Sequence, residues 1–437
     1  MQQKLEAGIG TPDAVVEQLR RTRIFVIGMG TINPLGNDVA TTWQNAKAGK
    51  NGVSAVDVPY SKVKVAGVVE DFDAATSLPN LAARETKRRS RAALLARKAT
   101  EEALVDANLL GEEGKLRDDI DPTRVGTFIG TGIGGAMLVA DAADNLRAGK
   151  RTTPSNLLQI LLDRVATTVS KDFGAKGPVL TPTAACATGN VAISLGIDKI
   201  CAGKADAMIV GGTEATNNYI SYELFRNATS LTKSTDPDSA SRPYDKGRDG
   251  FVFGEGAGIL VIATEGFANK IGAHKYAELL GAGDTADAFH DTAPSGEGAV
   301  RAMREALSYL TEEERAEAYF LVDAHATSTL EGDQSEANVI KTVFSRDELE
   351  GKVVVYLPKE KLSHTIGAAG GVEAILGIMA MNEGIVPGNK NLVDPMDEAE
   401  GLDIPRETSG REINMVANNS FGFGGINAVF IAKKVEK

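Results

Sequence analysis

The sequence predicts an α/β protein in which buried strands, paired in parallel, are covered by helices on both faces. Three observations carry that expectation. Short apolar runs recur at residues 24–27, 125–129, 207–210, 258–263, 318–322, 353–356 and 428–431. A run that is apolar at every position, not at alternate ones, belongs to a strand buried on both sides. Stretches of helical periodicity lie between most of these runs, so strand and helix alternate as they do in βαβ units. Finally, 437 residues with 43% hydrophobic content suffice for two large halves with a sizeable core.

The same composition excludes several classes. With 47 Lys and Arg against 59 Asp and Glu the net charge is −12, which leaves no basic footprint for nucleic acid. The apolar runs are far shorter than the roughly 18 residues a bilayer span requires, and the first residues carry charge where a secretory signal needs an apolar stretch. No membrane span and a cytoplasmic location are therefore expected. Two cysteines, Cys186 and Cys201, build no disulfide framework and fit a reduced compartment.

Taken in order, residues 11–23 read as a short amphipathic helix, with Val15, Val16 and Leu19 on one side and Arg20, Arg21 and Arg23 closing its last turn. It belongs to an N-terminal extension, residues 1–22. The first strand, 24–27, runs into a glycine turn at Gly28 and Gly30. After the second strand, residues 130–135 fit G-x-G-x-x-G, but about 20 residues on, where a dinucleotide site needs an acid, 152–156 are Thr, Thr, Pro, Ser and Asn. A tight glycine turn lining a pocket is the better reading.

Small and apolar residues lead into Cys186, and Ile193, Ile197 and Ile200 then recur as the stripe of a helix that starts close to the sulfur. Unpaired N–H groups and the dipole at a helix start favour negative charge, which gives such a cysteine thiolate character. A small buried hydrophobe is the other reading of the same residue; Cys201, on the same helix, reads as packing. Of four histidines, His325 closes a strand and His364 lies between a strand and a Gly/Ala-rich helix, places where α/β proteins gather catalytic groups. Their separation, 364 − 325 = 39, fits no zinc motif, so no metal is expected. His274 and His290 read as surface or packing residues. Glycines between Phe421 and Gly425 let a backbone N–H face a ligand oxygen, or form a plain hairpin. A basic run, Arg84, Lys87, Arg88, Arg89 and Arg91, stands out in an acidic protein.

Together these stretches resemble the β-ketoacyl-[acyl carrier protein] synthases, in particular their Cys-His-His elongating branch. The resemblance runs from about residue 24 to the C-terminus and rests on many collinear pieces: Gly28 to Gly36, Gly130 to Gly135, Ala185 to Gly189, Gly211 to Glu214, Arg242 to Gly258, His325 to Thr329, Lys359 to Gly370 and Phe421 to Gly425. It implies the thiolase fold, two βαβαβαββ halves in a five-layered α-β-α-β-α arrangement, with the halves at residues 23–275 and 276–437, and a homodimer. It implies an acyltransferase that joins an acyl thioester to malonyl-acyl carrier protein with loss of carbon dioxide, in fatty acid elongation. Polyketide ketosynthases, with the same chemistry on other acyl chains, and non-catalytic chain-length-factor-like subunits, which usually lose the nucleophile, are the alternatives.

Carried over residue by residue, the resemblance makes Cys186 the nucleophile, His325 and His364 the donors to the malonyl thioester oxygen, and Lys359 and Glu373 charged residues beside the second histidine. The N–H groups of Cys186 and Phe423 form the oxyanion hole. Ile133, Thr327, Thr329, Phe421 and Phe423 bind substrate, and Arg84, Lys87, Arg88 and Arg89 dock the acidic carrier protein. No cofactor is implied beyond the phosphopantetheine that the carrier protein brings. Ala326 and Ser363 stand where the family keeps Gly, and Pro358, Glu360 and Ile426 replace its Thr, Ser and Thr; all five border the malonyl side, where a different loop geometry is expected. Residues 155–164 also depart from the family's stretch beside the acyl pocket and dimer contact, so the preferred chain length does not follow from the resemblance.

Overall fold

Two five-stranded units with the same internal order build the protein, described by a computed structural model at residues 13–135, 138–152 and 154–436. The first contains β1 (Ile24–Ile32), β2 (Val125–Gly130), β3 (Val179–Leu180), β4 (Ala207–Glu214) and β5 (Gly256–Thr264), in the order β3-β2-β4-β5-β1. The second contains β6 (Ala277–Ala286), β7 (Phe320–Asp323), β8 (Val353–Tyr356), β9 (Met415–Gly422) and β10 (Ile426–Lys434), in the order β8-β7-β9-β10-β6. Polarity repeats too. In each unit the second strand pairs in parallel with the third and fourth, while the fifth runs antiparallel to the fourth and the first.

This is the expected βαβαβαββ repeat, with one correction: the sheets are mixed where the apolar runs suggested parallel pairing. Continuous apolarity reports burial on both faces and says nothing of strand direction. Strand β6 shows no such run because its residues alternate between buried and partly exposed. It pairs with β1, Ile24 opposite Leu279 and Val26 opposite Ala277, and so joins the two units into one ten-stranded sheet.

Helix α1 (Asp13–Thr22) carries the basic last turn expected of it. It clasps both units: Gln18 donates to the Cys201 carbonyl at 3.2 Å, and Arg20 to that of Tyr309 at 2.6 Å. Helices α2 (Arg91–Asp106) and α3 (Arg164–Phe173) cover the outer face of the first unit, and α5 (Glu297–Leu307) and α6 (Leu330–Val343) that of the second. Between the units lie α4 (Thr188–Cys201) and α7 (Ala369–Glu383). The stripe Ile193, Ile197 and Ile200 of α4 and Ile375, Leu376 and Ile378 of α7 share one core with Val210, Leu260, Val416 and Phe430 of the sheets. Burial on nearly every side of α7 explains its all-round apolar sequence. The two helices touch through backbone: a Cβ at Gly189 would sit 2.7 Å from the Gly371 nitrogen, so only glycine permits the approach. Both start at the same end of the molecule, one just after Cys186 and the other just after His364.

Candidate active site

Cys186 sits in a single 3-10 turn, Ala185–Ala187, that leads directly into α4. Ala185 has φ 48°, a left-handed conformation costing an alanine about 1–2 kcal/mol, and such strain collects at functional sites. The Thr188 hydroxyl closes the turn by donating to the Ala185 carbonyl at 2.7 Å and accepting from the Ala184 N–H at 2.8 Å. Gly422 of β9 lies against this turn, where a Cβ would meet the Ala184 carbonyl at 2.7 Å.

His325 follows β7 in a loop tied down by two carboxylates of α6. Glu336 accepts the N–H groups of His325 and Ala326 at 2.8 and 2.7 Å, and Asp333 accepts that of Ser328 at 3.0 Å. His364 follows the helical turn Lys359–Leu362. Its N–H donates to the Val252 carbonyl at 2.8 Å and its carbonyl accepts from Gly254 at 2.9 Å, so the backbone on both sides of the ring is fixed. Ala326 and Ser363 have φ 33° and 64°. Both therefore hold conformations suited to glycine, with the strain carried by side chains that glycine lacks.

These three segments meet. The candidate ligand atoms of Cys186, His325 and His364 all lie within 4.8 Å of one another, and His364 Nε2 is 2.9 Å from Cys186 Sγ. The two imidazoles stand edge to face with centroids 5.4 Å apart, inside a run of rings from Phe251 (5.1 Å from His364) to Phe421 (5.8 Å from His325). A cavity of about 360 Å³ opens onto all three residues and is lined also by Thr327, Thr329, Phe421 and Phe423. The Thr327 and Thr329 hydroxyls face each other at 3.0 Å. Behind the rings Lys359 Nζ pairs with Glu373 Oε1 at 2.5 Å, both side chains 1% exposed.

Electrostatics depart from the sequence expectation at one point. Burial pushes the Cys186 thiol up to about 12, against the opposing pull of the Lys359 ammonium and the Phe423 N–H. The helix start does not leave a resting thiolate, because desolvation outweighs it. Burial, aided by Lys359, holds both imidazoles well below their ordinary value, so both rings are neutral. Among the described residues neither Nδ1 has a hydrogen-bond partner; on His364 the Cys186 thiol bonds the other nitrogen, Nε2.

The glycine turn of residues 130–135 is a cradle for a carboxylate. Buried Glu214 accepts the Thr131 hydroxyl at 3.0 Å and the N–H groups of Gly132 and Gly134 at 2.8 and 2.9 Å, with Ile133 at 3.2 Å. Ile133 is half-buried in this turn and is not among the residues lining the cavity around Cys186. The basic run divides. Arg84 and Lys87 are exposed, and Arg88 pairs with Glu85 at 3.3 Å. Arg89 is 6% exposed and forks onto Asp172, with one bond at 2.8 Å; it is a core ion pair and offers no charge to a partner. His274 and His290 are exposed, as expected. Sequence reasoning missed the support of the site, namely Glu214, Asp333, Glu336 and Phe251. Glu214 ends a recognisable Gly-Gly-Thr-Glu string, whereas nothing local marks the acids of α6.

The family signature described as β-ketoacyl synthase, N-terminal domain, matches residues 21–268, and that of the β-ketoacyl synthase C-terminal domain matches residues 276–393. The chain belongs to the β-ketoacyl synthase family. It is 38% identical to the 3-oxoacyl-[acyl-carrier-protein] synthase 2 of Staphylococcus aureus over 95% of this chain and 99% of that one. Among solved structures, a β-ketoacyl synthase from Burkholderia phymatum matches with TM-score 0.83 and 28% identity over 95% of this chain and 100% of that one. A type II polyketide ketosynthase, solved with its acyl-carrier protein and bound to the hexaketide, matches with TM-score 0.83 and 27% identity over the same shares. This β-ketoacyl synthase thus has the thiolase-like fold that the resemblance implied.

Proposed function

We propose that this β-ketoacyl synthase condenses an acyl thioester with malonyl-acyl carrier protein, releasing carbon dioxide and a 3-oxoacyl-acyl carrier protein two carbons longer, in fatty acid elongation. The observation that carries this reading is the convergence of one sulfur and two neutral imidazoles on one cavity. In the first half-reaction Sγ attacks the acyl carbonyl. The thiol proton has an acceptor in His364 Nε2 at 2.9 Å and leaves with the phosphopantetheine thiol. The N–H groups of Cys186 and Phe423 face the developing oxyanion, consistent with the bond Phe423 offers the sulfur.

Malonyl-carrier protein then enters along Thr327 and Thr329. Neutral His325 and His364 each donate one N–H to its thioester oxygen, so loss of carbon dioxide leaves a stabilised enolate. The enolate carbon attacks the acyl-cysteine, the C–S bond breaks, and the thiolate takes up a proton. Lys359 and Glu373 hold the field around the rings. Once Cys186 is acylated its thiol no longer bonds Nε2, so His364 accepts a proton there in the first half and, in the other tautomer, donates a hydrogen bond in the second. The reaction as drawn uses no resident metal or cofactor.

The carrier protein, an acidic partner, docks on Arg84 and Lys87, with Arg88 beside them. A second copy pairs along β3, where Val179 and Leu180 are 44% and 47% exposed at a sheet edge, an apolar edge of the kind proteins cover. Unpaired cysteines support a reduced, cytoplasmic setting, and among the described residues no helix is long and apolar enough to cross a membrane. A chain-length-factor-like role is disfavoured by the retained Cys186, and a polyketide role by the higher identity to the curated synthase 2 proteins. Mass spectrometry of acyl-carrier protein after incubation with malonyl-carrier protein tests the reading. A product two carbons longer, with one equivalent of carbon dioxide, supports it, and an unchanged acyl chain overturns it.

A further inference from the structure

No stretch of this sequence has the spacing of a metal motif, yet the fold assembles one. A tetrahedral zinc ion held by one thiolate and two imidazoles needs bonds of about 2.3 and 2.0–2.1 Å, which place its ligand atoms about 3.4–3.6 Å apart. The candidate ligand atoms of Cys186, His325 and His364 lie within 4.8 Å of one another, with His364 Nε2 and Sγ at 2.9 Å. Movements of about an ångström would bring them to those separations. The geometry points to a second use of this centre: Cys186, His325 and His364 form a three-ligand site for a soft divalent cation such as zinc, and occupancy shuts off acyl transfer.

Four features support it. The residues are Cys and His only, the donor set that selects zinc over magnesium or calcium. Among the described residues no protein group bonds the Nδ1 atom of either imidazole, and the bond between His364 Nε2 and Cys186 Sγ joins two of the proposed ligands to each other. The cavity of about 360 Å³ reaches all three side chains, so an ion has a route in and a fourth position open to water. Lys359, the buried cation behind the rings, is matched by Glu373 at 2.5 Å. Binding replaces the S–H bond by a Zn–S bond and releases one proton to solvent. Because that sulfur is the proposed nucleophile, the ion and the acyl group exclude each other.

The inference rests on ligand geometry, not on the identity of the acyl substrate, and its test is separate from catalysis. Cobalt(II) is the probe, since thiolate ligation gives a near-ultraviolet charge-transfer band and a four-coordinate site gives strong visible absorption. One equivalent added to the full chain should produce both signals in the unmodified protein and in Cys201→Ser. Both should vanish in Cys186→Ala and in protein alkylated at Cys186 by iodoacetamide, and stoichiometric zinc should displace the cobalt. His325→Ala and His364→Ala should each lower zinc affinity by more than the roughly 10–100-fold that loss of an outer-shell partner costs. No cobalt signal at one equivalent, a signal that survives in Cys186→Ala, or histidine variants of undiminished affinity each overturn the proposal. None of those outcomes alters the product test of condensation.

Discussion

Lys359 is the cation of a buried acidic neighbourhood, and its removal should cost far more than removal of its partner. Its ammonium lies 2.5 Å from Glu373, with both side chains 1% exposed. At an effective dielectric of about 20, opposite charges at that distance attract by about 7 kcal/mol, most of which is offset by desolvation of the two ions. Breaking such a pair by deleting one member costs about 3–5 kcal/mol, because the other is left buried without a counter-charge. The partners are unequal here. Asp323 and Glu336 are also buried and feel the Lys359 charge, so Glu373→Gln leaves the lysine facing two acids, whereas Lys359→Met leaves three acids facing one another. Urea unfolding near pH 8 should show a loss of about 3–5 kcal/mol for Lys359→Met and a clearly smaller one for Glu373→Gln. Burial holds Asp323, Glu336 and Glu373 above their ordinary values. The folded state therefore binds their protons more tightly, and stability in Lys359→Met should be lost as pH rises and recovered as it falls. Equal losses in the two variants, or a Lys359→Met loss that does not shrink at low pH, would show that Lys359 does not neutralise this acidic cluster.

Charge reversal at Arg84 and Lys87 should raise KM for acyl-carrier protein and flatten its salt dependence in steady-state assays. Arg89→Ala should instead lower the melting temperature and leave KM alone, since that guanidinium is committed to Asp172. Glu102 accepts the N–H groups of Thr31 and Val39 and is pushed by burial from 4.5 up to about 7. The unfolded chain releases this proton first, so the stability it contributes is present below that window and lost as pH rises through it. Thermal unfolding between about pH 5 and pH 8 should accordingly show a falling melting temperature, less steep in Glu102→Gln. Ser363 holds φ 64° and ψ 179°, a region nearly reserved for glycine. Ser363→Gly should therefore keep the active-site geometry and full carbon dioxide release, measured on malonyl-carrier protein, despite sitting next to His364.

Much of the fold was legible because burial on both faces of a strand leaves its mark in the residues themselves. Largely apolar runs mark β1, β2, β4, β5, β7, β8 and β10, and the Ile193, Ile197, Ile200 stripe marks α4. Two-residue β3 and alternating β6 left no such trace, and strand direction is not encoded in apolarity at all. The repeat of the two units is visible only as sheet order, since the halves share topology rather than letters. At the site, Cys186, His325 and His364 were legible as rare residues at strand and helix ends. What they rest on was not: Glu336 and Asp333 look like ordinary helix acids until β7 delivers the 325–329 loop onto them. The thiolate expected at Cys186 failed because local sequence reports the helix start but not the depth of burial. The docking role of Arg89 failed likewise, as a charge run does not say which of its members turns inward.

The site divides its labour, with the sulfur carrying the acyl group and the two imidazoles stabilising the enolate. Carbon dioxide release from malonyl-carrier protein, measured without any acyl donor, separates the two. Cys186→Ala should still release carbon dioxide while forming no condensation product. His325→Ala and His364→Ala should each lose about 100–1,000-fold in that release, the usual effect of deleting one oxyanion donor. Histidine variants that decarboxylate at the unmodified rate, or a Cys186→Ala protein that still extends the acyl chain, would contradict that division of labour.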